Sequence, residues 1–274
     1  MDISKIILGT ANFSENYGLL NSRISNTQIK KILKVAKDKK IKCLDTAKEY
    51  KLDLISKKQI NRFKIYKKIN LEKLISKKKI LEYLNENSNT YGVTLRKPDL
   101  LLKKNGRLIY KFLKELKEKK VIKKIGISIY KTNKLKKIIS LFQIDYIQLP
   151  LNIVNKSVYQ STKKIVKRRK IEIHARSIFL QGLLLKKNDQ LPSQLKNLRH
   201  DWKKIDTRLE KLNVSRYTAC LDFAMSQNVD KIIFGVENSL QLKKILEAKR
   251  VKKNIPVFKI KDKKLIDPIY WLNL

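Results

Sequence analysis

Eight short apolar runs, separated by helical patterns along the whole chain, constrain the fold more than any other sequence feature. Short apolar runs of this kind are typical of parallel strands that are buried on both faces. Their alternation with helices predicts right-handed crossovers and a parallel sheet. The predicted strands are Lys5–Thr10, Lys42–Ala47, Phe63–Ile69, Gly92–Arg96, Lys124–Ser128, Tyr146–Leu149, Ile171–Ser177 and Lys231–Val236.

Between the runs, apolar residues recur at the spacing of amphipathic helices. The first helix follows Asn26 and Thr27, whose side chains can cap a helix start. The segment Gly182–Leu212 is longer than a usual connection and predicts an active-site loop with an extra helix around Trp202. The apolar stripes are Ile29, Ile32, Leu33 and Ala36; Leu108, Ile109, Phe112, Leu113 and Leu116; Leu135, Ile138 and Ile139; and, from Ser239, Leu242, Ile245 and Leu246.

Eight strand–helix units favour closure into a single-domain (β/α)8 barrel over residues 1–274. The chain has 274 residues, close to the typical length of that fold. An open doubly wound sheet is the alternative. No GxGxxG sequence follows any run, however, so the dinucleotide fingerprint of the doubly wound fold is absent.

The formal charge of +41 would draw anions and raises the hypothesis of a nucleic-acid-binding protein. Only 11 of the 65 basic residues are arginines, whose planar forks are favoured in specific phosphate and base contacts. The lysines also spread along the chain without forming one patch. Compositional bias therefore explains the charge better, and no specific nucleic-acid partner is predicted.

The two cysteines, Cys43 and Cys220, are far apart and not in a metal-binding spacing, which favours a reducing compartment. The N-terminal sequence MDISKIILGTANF has too short an apolar run for a signal peptide. No stretch approaches the length of a membrane span. We therefore expect a cytoplasmic protein that does not bind membranes.

Polar residues stand where several predicted strands end, which is where (β/α)8 barrels build active sites. The second run contains Asp45, and Tyr50 lies in the loop that follows it. The third run carries Lys68 and the fourth ends at Arg96. Further candidates at this edge are Ser128, Gln148, Arg176 and Ser177.

Seven segments at these strand ends resemble the successive signatures of the aldo-keto reductase family, in the family's order. They are LGTANF, LDTAKEY, FKIYKKI, IGIS, QLPLN, ARSIFLQG and FGVENSLQLKKIL. The resemblance covers the chain from Leu8 to Leu246. It implies reversible hydride transfer between NADP(H), or alternatively NAD(H), and the carbonyl group of a small-molecule substrate.

The resemblance implies that Tyr50 is the general acid that protonates the carbonyl oxygen. A free tyrosine has a pKa of about 10, and a neighbouring ammonium lowers it by stabilising the phenolate. Lys68 would supply that charge, and Asp45 would pair with Lys68 and hold it. We therefore expect the pKa of Tyr50 to lie below its ordinary value.

The sequence departs from the family pattern at two positions. The family has a histidine in a segment like LLHNP, whereas the corresponding segment here is TLRKP, so Arg96 takes the place of the histidine. Arg96 can stabilise a developing negative charge, but it cannot act as a neutral proton relay. Lys51 replaces the usual glycine after the tyrosine. A dinucleotide-binding pseudoenzyme with a regulatory role is therefore the alternative to an active reductase.

The resemblance also implies a cofactor site. Ser128 and Gln148 match positions that hydrogen-bond the nicotinamide carboxamide, although Ile129 replaces a neighbouring asparagine. Arg176 stands where a flat side chain stacks on the nicotinamide ring. The remaining matched positions are Ser177, Ile178 and Gln181 over the pyrophosphate; Gly235, Val236, Asn238 and Ser239 at a helix N-terminus suited to phosphate; and Gln241 near the adenosine.

No arginine in the last loop is placed to bind a ribose 2′-phosphate, and Glu237 would oppose one, so NADP over NAD rests on the resemblance alone. Of the two histidines, His174 is predicted to be a core or hydrogen-bonded residue, and His200 is expected with Trp202 at a loop surface or pocket rim.

Overall fold

Eight parallel strands close into a barrel in chain order, with β8 returning to pair with β1. The computed structural model describes residues 2–14, 24–50, 55–72, 76–86, 89–248, 251, 253–267 and 271. The (β/α)8 prediction is confirmed, and the doubly wound alternative was wrong. The strands are β1 Ile6–Gly9, β2 Cys43–Ala47, β3 Lys64–Asn70, β4 Thr90–Arg96, β5 Lys124–Ser128, β6 Tyr146–Pro150, β7 Glu172–Arg176 and β8 Lys231–Phe234.

Helices cover the outside of the barrel, and their buried stripes follow the predicted spacing. Within the described residues, no helix has the length and apolar character needed to cross a bilayer. The helices are α1 Asn26–Asp38, α2 Lys57–Ile60, α3 Lys77–Asn85, α4 Lys104–Glu118, α5 Leu135–Leu141, α6 Ser157–Val166, α7 Arg199–Lys211, α8 Arg216–Ser226 and α9 Ser239–Glu247.

Two local predictions about helices were wrong. The N-cap of α1 is Ser25, whose Oγ accepts a 3.2 Å hydrogen bond from the Gln28 N–H, so Asn26 already lies inside the helix. In α4, Leu108 is 54% exposed. Its neighbour Ile109 is buried, because successive residues of a helix point in directions about 100° apart and only one of the two faces the barrel.

The long connection after β7 contains the predicted extra helix, α7. Trp202 on this helix is completely buried, and its Nε1–H donates a 3.1 Å hydrogen bond to the Lys186 carbonyl. Trp202 is therefore a core residue that fixes the connection, and its expected place at a loop surface or pocket rim was wrong. His200, two residues earlier, is exposed, as expected for a loop-surface position.

Two tyrosines fill the interior of the barrel. The rings of Tyr66 on β3 and Tyr146 on β6 meet edge to face, with centroids 5.3 Å apart. Because β3 and β6 are not neighbours, the rings reach each other across the interior. Two glycines make room for them: an added Cβ would lie 2.7 Å from Tyr66 at Gly92 and 2.4 Å from Tyr146 at Gly126.

We expect Gly126→Ala to lower the free energy of unfolding by about 2 kcal/mol, because the new methyl group would overlap the Tyr146 ring. Urea denaturation measures the change. Gly9→Ala is the matched control, since its Cβ would lie 3.4 Å from the nearest atoms. The control should change stability by less than about 1 kcal/mol. Equal losses in the two variants would contradict the crowding argument.

His174 also lies inside the barrel, where it is completely buried, as predicted for a core histidine. Its ring stacks on Tyr146 with centroids 4.6 Å apart, and its Nε2–H donates a 3.0 Å hydrogen bond to Glu172. Burial lowers the pKa of His174, so the ring is neutral at pH 7. Glu172 also pairs with Lys124.

The stability of the protein should depend on the ionisation of Glu172. The hydrogen bond from His174, together with the Lys124 ammonium, lowers the pKa of Glu172 from 4.5 to about 2. The unfolded state therefore binds the proton first, and this stabilisation is present above pH 4.5 and lost as the pH falls towards 2. Between pH 4.5 and pH 2, the free energy of unfolding measured by urea denaturation should fall more steeply with decreasing pH for wild type than for Glu172→Gln. Parallel decreases in the two proteins would contradict the role of Glu172.

Candidate active site

Asp45, Lys68 and Gln148 form a hydrogen-bonded group at the carboxyl ends of β2, β3 and β6. The Lys68 ammonium donates to Asp45 Oδ2, and Gln148 Nε2 donates to Asp45 Oδ1 over 2.8 Å. Side chains alternate between the two faces of a strand, and these three residues all point inward. Asp45 is only 2% exposed, so a charged carboxylate is held in the interior with both oxygens satisfied.

Tyr50 lies beside this group. A short 3₁₀ turn, Lys48–Tyr50, follows β2 directly and turns the chain over the barrel mouth. The Lys68 ammonium lies 5.8 Å from the centroid of the Tyr50 ring. The structure thus brings together three of the residues that the sequence predicted to converge.

The expected direction of the Tyr50 pKa was wrong. Tyr50 is half-buried, and desolvation there, reinforced by the Asp45 carboxylate, raises the pKa of its phenol well above its ordinary value. The Arg96 guanidinium lowers the pKa but does not reverse this effect. The physical reason is that Asp45 already offsets the Lys68 charge. The remaining positive charge stabilises the phenolate by less than desolvation destabilises it.

Arg96 ends β4, with backbone partners Asn70 on β3 and Ser128 on β5. Its side chain is 42% exposed, and its Nη1 lies 3.8 Å from Glu49 Oε1. The structure therefore places Arg96 at the mouth, near enough for its charge to act on Tyr50. The second departure from the family pattern, Lys51, lies outside the described residues.

Ser128 and Gln148 are direct partners in the pairing of β5 with β6. Both are buried. In the described part of the chain, Gln148 Oε1 is a buried acceptor with no hydrogen-bond partner. A carboxamide NH2 has the donor that such an oxygen lacks, so the nicotinamide end of the cofactor fits this position.

Arg176 packs over an aromatic ring. Its guanidinium carbon is 4.1 Å from the Tyr130 ring centroid, and its Nη2–H donates a 3.1 Å hydrogen bond to the Ile129 carbonyl. Tyr130 therefore covers one face of the guanidinium. Its Nε is buried without a partner among the described residues.

The segment expected to cover the pyrophosphate has an unusual backbone. Ser177, Leu180 and Gln181 have φ values of 59°, 48° and 52°, a region that residues other than glycine seldom adopt. The Asn152 side chain donates a 3.1 Å hydrogen bond to the Ser177 carbonyl. Ile178 is completely buried, so only its backbone could contact a cofactor.

The predicted phosphate position is the start of α9. Asn238 is the N-cap, and its Oδ1 accepts a 2.7 Å hydrogen bond from the Gln241 N–H. Gln241 Oε1 in turn accepts one of 2.7 Å from the Glu237 N–H, so this side chain is already engaged. No acceptor within the described residues takes the N–H groups of Ser239 and Leu240. These two donors are suited to an anion.

The strand before α9 ends earlier than expected, at Phe234, so Gly235 and Val236 lie in the loop. An added Cβ at Gly235 would lie 2.1 Å from Asn12 Oδ1. The loop after β8 thus packs closely against the loop after β1. Val236 is 1% exposed, and its side chain contributes to the core.

Sequence reasoning missed three residues around the mouth. Tyr130, which supports Arg176, could have been suspected from its place two residues after Ser128 at the end of β5. Glu49 immediately precedes Tyr50 in the same turn. Asn12 gave no signal, because its role follows from the close approach of two loops that are distant in sequence.

Comparisons with known proteins agree with this geometry. A model of the aldo/keto reductase family matches residues 5–266. The chain belongs to the aldo/keto reductase family. A comparison with curated proteins finds no match.

Solved structures of aldo-keto reductases share the fold. The holo form of AKR11C1 from Bacillus halodurans aligns with a TM-score of 0.68 and 17% identity, covering 90% of this chain and 88% of that one. The glycerol dehydrogenase AKR11B4 from Gluconobacter oxydans aligns with a TM-score of 0.68 and 14% identity, covering 90% and 88%.

Family membership implies an oxidoreductase that reduces the carbonyl group of a small molecule with a nicotinamide cofactor. At identities this low, the structural likeness itself shows only the fold. The roles of individual residues therefore depend on the geometry of the barrel mouth.

Proposed function

We propose that this aldo/keto reductase reduces an aldehyde, ketone or sugar carbonyl to the alcohol, with Tyr50 as the general acid. The observation that carries the proposal is the group at the barrel mouth, in which Asp45 holds the Lys68 ammonium beside the Tyr50 ring. NADPH supplies the hydride when bound. All other groups the reaction needs are side chains of this chain.

Tyr50 holds the proton that the carbonyl oxygen receives. Its raised pKa keeps the phenol protonated throughout the neutral range, which is the state needed for reduction. As the proton leaves, negative charge develops on the phenolate. The Arg96 guanidinium stabilises that charge, and Asp45 fixes the Lys68 ammonium beside the ring.

Several residues at the mouth support binding of a dinucleotide. Gln148 Oε1 accepts from the carboxamide, and Ser128 lies beside it. Arg176 presents the face of its guanidinium opposite Tyr130 to the nicotinamide ring. The N–H groups of Ser239 and Leu240 bind phosphate, while Ser177, Ile178, Gln181, Gly235, Val236, Asn238 and Gln241 shape the surrounding loops. NADP(H) is the proposed cofactor, with NAD(H) as the alternative.

A second candidate function is a dinucleotide-binding pseudoenzyme with a regulatory role. Arg96 favours it, because a permanently charged guanidinium cannot relay a proton. The raised pKa of Tyr50 is also compatible with it, since a phenol that holds its proton too firmly is a poor donor. Both candidates require the cofactor, and only the first requires turnover.

Fluorescence titration with NADPH and NADH, followed by assays with a panel of aldehydes, ketones and sugars, separates the two functions. The panel includes glyceraldehyde because one structural neighbour is a glycerol dehydrogenase. Turnover supports the reductase. Binding without turnover, with activity appearing in Arg96→His, supports the pseudoenzyme. Failure to bind either nucleotide would contradict both.

A further inference from the structure

Arg96 is a cation at the barrel mouth whose hydrogen-bonding capacity is not used by the residues that the structure describes. Among the described residues, no protein acceptor hydrogen-bonds its guanidinium, and the only acid in ion-pair range is Glu49 at 3.8 Å. Both partners are more than 40% exposed, at 42% and 46%. An exposed pair at that separation is weak, so it leaves the fork available to another anion.

The position of Arg96 relative to the reacting groups follows from strand register. Thr94 pairs with Lys68, and Arg96 lies two residues further along β4, which is about 7 Å nearer the solvent. Arg96 Nη1 lies 3.8 Å from Glu49, which directly precedes Tyr50 in the same 3₁₀ turn, so the guanidinium lies on the Tyr50 side of the mouth. A substrate with its carbonyl oxygen at Tyr50 would therefore extend past Arg96 as it leaves the barrel.

A second guanidinium belongs to the same rim. Arg176 ends β7, and its hydrogen-bond acceptors in the described chain are the neutral Ile129 carbonyl and Ser177 hydroxyl. It has no acidic partner among the described residues. Lys68, by contrast, is neutralised by Asp45. Counting the described residues alone, the mouth therefore has an excess of positive charge, because Asp45 pairs with Lys68 and Glu49 is the only acid near Arg96.

We propose that Arg96 binds an anionic group, a carboxylate or phosphate, that lies a few bonds from the reacting carbonyl of the substrate. This inference rests on the proposed reductase function and names its substrate class: short aldehydes or ketones that carry an acidic group. A guanidinium binds either anion through two parallel N–H donors, which adds orientation as well as affinity. The residue that departs from the family pattern thereby becomes a specificity residue.

The test compares matched neutral and anionic substrates. The value of kcat/KM is measured for 4-oxobutanoate against butanal, and for glyceraldehyde 3-phosphate against glyceraldehyde. In wild type, at least one anionic substrate should be favoured by about 10- to 100-fold, the range expected for one charged hydrogen-bonded contact. The preference should vanish in Arg96→Gln and be intermediate in Arg96→Lys, which keeps the charge but loses the fork.

Arg62→Gln is the matched control, because it removes the same charge from an exposed position before β3, at the opposite end of the barrel. The control should keep the anion preference, and an equal loss in it would show that only the overall charge acts. Equal rates for neutral and anionic substrates, or a preference unchanged in Arg96→Gln, would overturn the proposal.

If no carbonyl compound is reduced, the proposed function itself fails. A binding measurement with succinate then tests whether Arg96 binds anions. Succinate should raise the Tm of wild type more than that of Arg96→Gln, because a ligand stabilises the state that binds it. Equal shifts in the two proteins would overturn the subsite. This readout does not depend on turnover.

Discussion

Tyr50→Phe should lower kcat for carbonyl reduction by about 1,000-fold, because it removes the proton donor while keeping the aromatic ring. The Kd for NADPH should stay unchanged, since the proposed cofactor contacts come from other strands. Steady-state kinetics and fluorescence titration measure the two quantities separately. The same substitution in a pseudoenzyme would have no turnover to remove.

Tyr91→Phe is the control for this substitution. Tyr91 lies near the amino end of β4, where it is flanked by Lys64 and Lys124, so its hydroxyl is remote from the mouth. We expect full activity in the control. Substantial turnover remaining in Tyr50→Phe would show that another group protonates the carbonyl oxygen, and the proposed mechanism would be wrong.

Lys68→Met should lower the free energy of unfolding by about 3 kcal/mol, because it leaves the Asp45 carboxylate buried without its cation. The side chains of Lys68 and Asp45 are 11% and 3% exposed, so water cannot replace the lost partner. Urea denaturation at pH 7 measures the loss. The double variant Asp45→Asn/Lys68→Met should recover part of it, since the uncompensated charge is then gone.

Lys97→Met provides the comparison with a surface pair. Lys97 pairs with Glu72, and the two side chains are 57% and 48% exposed. Its loss should cost less than about 1 kcal/mol, because solvent screens the pair. Equal losses in Lys68→Met and Lys97→Met would show that the Asp45 site is open to water, which would contradict the burial on which the site argument depends.

The barrel itself could be predicted from the sequence because its signal is local. An apolar run predicts each strand, and polar residues at the ends of the runs predict the position of the barrel mouth. The sequence pattern therefore places Asp45 and Lys68 at the same edge of the barrel. The strand boundaries moved by only a few residues, as at β8, where pairing stops at Phe234 because the following loop turns to pack on Asn12.

The properties of individual groups could not be predicted in this way, because they depend on what surrounds each side chain in space. The pattern around Tyr50 predicted a lowered pKa, since it showed a lysine nearby but neither the desolvation of the phenol nor the closeness of the Asp45 carboxylate. Trp202 was predicted to lie at a loop surface or pocket rim, because the composition of a long connection does not show which of its side chains face the core. Arg176 could be matched to a stacking position, but the Tyr130 ring beneath it became evident only in the fold.

The sequence by itself determined the eightfold alternation of strands and helices, the family and the identity of the polar residues at the strand ends. These follow from periodicity and from chemistry encoded within a few neighbouring positions. Only the tertiary structure decided that Asp45 neutralises Lys68, that desolvation outweighs the nearby cations at Tyr50, and that Arg96 has no hydrogen-bond acceptor among the described residues of the mouth. Charge and solvation are set by distances between segments far apart in the chain, and closing the barrel fixes those distances.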